Sequence, residues 1–172
     1  TLGVAGTAGA LALFAHFVLS LPWLESFLIG AVISSTDAAS VFNILRSKKL
    51  ALKYHTDSLL EVESGSNDPM SYMLTTVAIA LLKGQTISVP LLLAQQMVIG
   101  IICGLAIGWL AVKLLHWQLL NSQQSHSIFL LAVMVLAYAI PIQFGGNGYL
   151  SVYLCGIWIG NSSLPQKKYL VH

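Results

Sequence analysis

The chain has 172 residues, 56% of them hydrophobic and only 8% charged, with eight basic and six acidic side chains and a formal net charge of +2. Soluble domains carry roughly 25% charged residues, so these few charges cannot coat a water-soluble globule of this size. A mean hydropathy of +0.80, with apolar runs near the ~18–20 residues that cross a bilayer, points to an all-α, polytopic membrane helix bundle and gives no basis for a nucleic-acid partner.

Six apolar segments are expected in chain order. The first runs from about Gly3 to Leu21 and ends at Pro22-Trp23, an aromatic anchor suited to the membrane interface. It contains a lone histidine, His16, expected to be satisfied or pore-facing rather than a ligand. The second, Phe27 to Leu45, reads "FLIGAVISSTDAASVFNIL" and places Ser34, Ser35, Thr36 and Asp37 at its centre. An Asp at mid-bilayer costs roughly 2.5–3.5 kcal/mol on insertion scales, so it needs a partner, a proton or water. Asp37 is also an N-cap residue type, and Ser35 and Thr36 can satisfy freed backbone groups. The economical expectation is a helix that unwinds at Ser35–Thr36 and restarts at Asp37, as in the broken spans where secondary transporters bind ions. The alternative is polar packing of helix on helix.

The third segment, Leu59 to Leu82, carries Glu61, Glu63, Ser64, Asn67 and Asp68, with Pro69 directly behind. At 100° per residue, Ser64 and Asp68 share one face, with Glu61 on the same stripe two turns toward the basic end. Glu63 and Asn67 form a second stripe, expected to be structural polar glue. Pro69 has no amide hydrogen, so the Gly65 carbonyl loses its helical donor. A freed carbonyl, a hydroxyl and a carboxylate within one turn suit a hard monovalent cation. Glu61 stands either at the water boundary or at the mouth of a cytoplasmic funnel.

The fourth segment runs from about Ile87 to Leu115, the fifth from Ser127 to Phe144, and the sixth from Gly148 to about Gly160. Asn147 is expected to cap the sixth helix after turn glycines 145, 146 and 148, with Asn161 and Ser162 at its far end. Cys103 and Cys155 lie inside apolar runs without metal-ligand spacing and read as small core residues; no motif implies a cofactor. Arg46, Lys48, Lys49, Lys53, Lys113, Lys167 and Lys168 fall on one side of six alternating spans, and only Lys83 on the other. The positive-inside rule then faces the first group to the cytoplasm and runs the first segment outward. The chain also starts and stops in apolar sequence, which suggests a piece of a longer transporter.

The motifs "SSTDAASVF" and "ESGSNDPM", with the basic loop between them, resemble the NhaP-type monovalent cation/proton antiporters, relatives of the sodium/proton exchangers, and most resemble the potassium/proton branch. The resemblance implies a partial antiporter fold of this type. Residues 1–83 would form the first half of the core ion-translocation domain, 84–126 a long linking helix and cytoplasmic loop, and 127–172 part of the dimerisation domain. It implies that Asp68 exchanges proton for cation, with Ser64 and the Thr36 backbone carbonyl as further ligands. Asp37 is similar to the acid at the family's crossing of unwound helices. Asn67 stands where electrogenic relatives have Asp, which implies electroneutral exchange. Glu63 resembles an acid paired with an arginine of a later helix, absent from these 172 residues. Ser35 and Pro69 are expected to shape the site. The implied partners are K+ or Na+, H+, the bilayer and a second copy in a homodimer, and the implied location is the inner or plasma membrane. No enzymatic activity is implied. The alternatives are an ion channel or another proton-coupled transporter. An intramembrane aspartyl protease using Asp37 and Asp68 is a further one, against which stands the lack of a Gly-x-Gly-Asp context. No HExxH motif supports a zinc protease.

Overall fold

A computed structural model of the chain describes residues 2–36, 40, 43, 44, 47, 56–86, 88–116 and 123–162; Asp37 and the bases of the loop after it lie outside these residues. The described residues contain six α-helices and no strand: α1 (Leu2–Leu19), α2 (Trp23–Ile33), α3 (Thr56–Leu82), α4 (Val89–His116), α5 (Gln123–Gln143) and α6 (Gly148–Asn161). Among the described residues, three spans, Leu2–Leu19, Val89–His116 and Ser125–Gln143, are long and apolar enough to cross a bilayer. The chain is an all-helical membrane bundle. It divides into two compact units, Thr1–Leu92 and Leu93–His172.

In the first unit, small residues let the helices approach. The buried stripe of α1 is Val4, Ala8, Ala12 and Ala15, while Phe14, Phe17 and Val18 face outward. Burying the small side chains and exposing the large ones fits lipid, where bulk hydrophobicity gives no drive for helices to associate and close packing must supply it. Gly30 of α2 lies directly against the Ala8 carbonyl of α1, and a Cβ there would also meet the Ala12 nitrogen at 3.1 Å. Any side chain at residue 30 would push the two helices apart.

The α1–α2 connection is short and clasped. Ser20 adopts a left-handed conformation, φ 56°, which ends α1 in the manner of a helix C-terminal turn. The Leu21 amide reaches back to the Ala15 carbonyl at 3.4 Å. The Leu21 carbonyl accepts from His16 Nδ1 at 2.7 Å and from Ser26 Oγ at 3.4 Å. A carbonyl can only accept, so Nδ1 carries the ring proton. Trp23 stacks on the His16 ring at 3.8 Å, and Phe17 meets both rings edge-on. His16 is thus a satisfied structural side chain. Helix α2 begins at Trp23, four residues before the apolar run suggests. The Pro22 carbonyl accepts from the Ser26 amide at 2.9 Å, and Glu25 in the first turn complements the helix dipole.

In the second unit, α4 and α6 run parallel along a glycine stripe. Gly100 faces Asn147 and Leu150, Gly104 faces the Ser151 backbone, and Gly108 faces Cys155 and Trp158. A Cβ on Gly104 would sit 2.5 Å from the Ser151 carbonyl, so the register requires glycine. Above this seam Ala111, Val133, Ala137 and Cys155 form a core with Ile107, Phe129, Val152 and Ile159. The turn before α6 is held to α4: the Asn147 amide donates to the Gln96 carbonyl at 3.1 Å, and Gln95 Nε2 donates to Phe144 O at 3.3 Å. Gly145 makes the bend at φ 73°. The Asn147 side chain accepts from the Leu150 amide at 3.1 Å, the expected cap, and Ser162 closes the far end.

Candidate functional site

Helix α2 stops inside the apolar stretch that a continuous span would occupy. Its last helical residue is Ile33, its C-cap Ser34 donates its amide to Gly30 O at 3.1 Å, and Ser35 and Thr36 are non-helical. Helical backbone returns at Ser40, Asn43, Ile44 and Ser47. The interruption therefore falls at Ser35–Thr36, where the Ser-Ser-Thr run was expected to allow it.

Helix α3 packs antiparallel to α2 and presents one polar face to this break. Ser64, Asn67, Asp68 and Ser71 follow the i, i+3, i+4, i+7 spacing, which keeps them within about 100° of the helix circumference. Each bonds to residues 31–36. Ser64 Oγ donates to the Thr36 carbonyl at 2.7 Å. Ser35 Oγ donates to Asp68 Oδ1. Asn67 Nδ2 donates to Thr36 Oγ1 at 2.7 Å, and Ser71 Oγ donates to the Ala31 carbonyl at 2.6 Å. Asn67 is 4% exposed, and its Oδ1 has no partner among the described residues.

Ser64 and Asp68 share one face of α3, as their spacing suggested, and Thr36 and Ser35 meet that face at the break. Asn67 joins the Ser64–Asp68 face through Thr36, whereas the pattern had grouped it with Glu63; the unwound chain crosses α3 broadly enough to reach both stripes. Glu63 is exposed, and its Oε1 lies 3.9 Å from where a Cβ on Gly3 of α1 would stand. Pro69 is buried inside α3. Glu61 lies in α3, with its side chain outside the described residues, and Asp37 is outside them altogether. Ser35, expected to shape the site, bonds the acid directly. One contribution escaped the sequence pattern: Ser71, read as part of an apolar run, bonds the end of α2. The one available signal for Ser71 was its heptad spacing from Ser64.

Chemically, the face gathers one carboxylate, several hydroxyls and a backbone carbonyl, all hard oxygen donors. Among the described residues no group of three or more His, Cys, Asp or Glu could hold a metal ion. A single acid beside neutral oxygens is balanced by one positive charge, whether a proton or a monovalent cation.

An interrupted membrane helix whose freed backbone meets an acid on its neighbour is the architecture of ion-coupled secondary transporters. The chain belongs to a family of that class: over residues 1–172 it matches the sodium/hydrogen exchanger, transmembrane family. It is 41% identical to the K(+)/H(+) antiporter NhaP of Alkalimonas amylolytica, over 99% of this chain and 30% of that protein. It is 39% identical to the K(+)/H(+) antiporter NhaP2 of Shewanella oneidensis, over 94% of this chain and 28% of that protein. A probable Na(+)/H(+) antiporter 2 of Methanocaldococcus jannaschii is 25% identical, over 90% of this chain and 38% of that protein. The chain thus spans 28–38% of the length of these relatives.

Proposed function

We propose that the protein carrying this chain exchanges a monovalent cation, K+ or Na+, for a proton across the inner or plasma membrane, by competition at Asp68. The observation that carries this reading is the convergence of Thr36 O, Ser64 Oγ, Ser35 Oγ and the Asp68 carboxylate at the interruption of α2. A hydroxyl that donates one proton keeps acceptor lone pairs, so Ser64 can serve Thr36 and a cation together. Asp68 is neutral when it holds either a proton or a cation, and only the neutral site crosses the low-dielectric barrier cheaply. That exclusivity couples the two fluxes. Asp37, beside the break, is the further acid assigned to the site, and Glu61 to its cytoplasmic approach.

Asn67 supports one-for-one exchange. Its amide donates to Thr36 Oγ1, which an ionised carboxylate cannot do. The site therefore uses a neutral side chain where a second acid would bring a second charge. Glu63 is assigned to a cationic partner on a later helix of the full-length protein, and the second unit to the scaffold through which two copies form a homodimer.

The test is transport by the full-length protein in everted membrane vesicles, where cation addition collapses a preset proton gradient. Asp68→Asn is expected to abolish exchange; undiminished exchange would refute the assignment.

A further inference from the structure

The three bonds that reach the unwound chain, from Ser64, Asn67 and Asp68, all engage Ser35 or Thr36. The fourth bond on that face is different. Ser71 Oγ reaches the body of α2 at the Ala31 carbonyl, 2.6 Å away, and Ser34 Oγ donates to the same oxygen at 2.7 Å. Ala31 is fully buried and Ser71 is 6% exposed. A carbonyl has two lone pairs, and these two hydroxyls take both.

That oxygen matters because of its place in the helix. In a continuing α-helix the Ala31 carbonyl would accept the amide of residue 35. Helical bonding instead ends one step earlier, at Ser34 N–H to Gly30 O. With both hydroxyls on it, the Ala31 oxygen is a contested acceptor for the Ser35 amide, which disfavours winding α2 one residue further. Winding on would set Ser35 about 100° round the helix axis from Ser34 and draw Ser35 and Thr36 out of the non-helical path on which they meet Asp68 and Ser64.

We propose that Ser71 is a positioning residue that disfavours rewinding of α2 and thereby holds Ser35 and Thr36 against Asp68 and Ser64. The inference rests on the reading of these groups as the cargo site, and deepens it. Ser71 touches no cargo; it acts through the Ala31 carbonyl. Three features single it out. It is buried, it bonds across helices rather than within its own, and it lies one turn beyond Asp68 on the same face.

The test uses the full-length protein. In everted vesicles, Ser71→Ala is expected to raise the apparent KM for K+ by about ten-fold while the maximal rate per protein stays within about two-fold. Ser71→Cys, nearly the same shape but a weak donor, is expected to raise it by an intermediate amount and covers the case in which the alanine variant fails to fold. Hydrogen exchange gives an independent readout. In Ser71→Ala the Ser35 amide is expected to exchange more slowly, because it joins the helix; loss of a packing residue would make it exchange faster. A wild-type KM in both variants, or faster exchange at Ser35, overturns the proposal. Asp68→Asn run in parallel separates the two levels: a variant that still exchanges ions removes the site itself, whereas an inactive one beside an unaffected Ser71→Ala removes only the role of Ser71.

Discussion

Ser64→Ala probes the cation site at its simplest point. The Ser64 hydroxyl is half-buried and donates to the Thr36 carbonyl at 2.7 Å. Its removal takes away that cross-helix bond and one oxygen from the proposed ligand set. A hydrogen bond of this kind contributes about 0.5–1.5 kcal/mol net, and a lost neutral ligand costs a similar amount. Together they amount to about 1–3 kcal/mol, or a rise of about five- to 140-fold in apparent KM for the cation at about 1.4 kcal/mol per decade. Ser66 provides the control on the same turn. Its hydroxyl donates to the Glu63 carbonyl of its own helix at 2.8 Å, so Ser66→Ala is expected to leave KM within about two-fold. The assay is a K+ and Na+ titration of proton-gradient collapse in everted vesicles, normalised to protein. Equal KM values for the two alanine variants would refute the idea that the α3 face toward residues 35–36 binds the cargo.

Asn67→Asp replaces the donor to Thr36 Oγ1 with a second ionisable group, so exchange should become sensitive to an imposed membrane potential; an unchanged potential dependence removes the stoichiometry argument. Gly30→Ala forces a Cβ onto the Ala8 carbonyl and should cost about 1–3 kcal/mol by overpacking, read as a lower melting temperature in detergent. Gly9→Ala, where a Cβ meets nothing within 4 Å, should not lower it. Gly104→Ala should likewise destabilise the second unit, because its Cβ would press on Ser151, while Gly156→Ala in open space should not; similar melting temperatures for the pair would contradict the glycine seam.

The course of the fold was largely written in hydropathy. Six apolar runs and the Ser-Ser-Thr interruption correspond to six helices and a break at residues 35–36. Helix ends moved by at most four residues, at Gln123 and at Trp23, where Pro22 lets a helix start before the apolar run does. What hydropathy could not express is which apolar residues face protein and which face lipid. Ala8, Ala12 and Gly30, or Gly100, Gly104 and Gly108, score as ordinary membrane sequence, yet they set how closely the helices approach. Rarity draws attention to Asp68, since an intramembrane aspartate is costly. Serines carry no such mark. Ser35 and Ser71 act through partners on another helix, and that pairing exists only once α2 and α3 share a register.

Proton release on cation binding is the most direct test of the central claim, that one carboxylate holds a proton and a cation by turns. Purified full-length protein in weakly buffered detergent solution would be titrated with K+ and with Na+ while the pH is recorded. Competition at Asp68 predicts release approaching one proton per bound cation, absent in Asp68→Asn. Saturable cation binding without proton release, or the same release in Asp68→Asn, would contradict it.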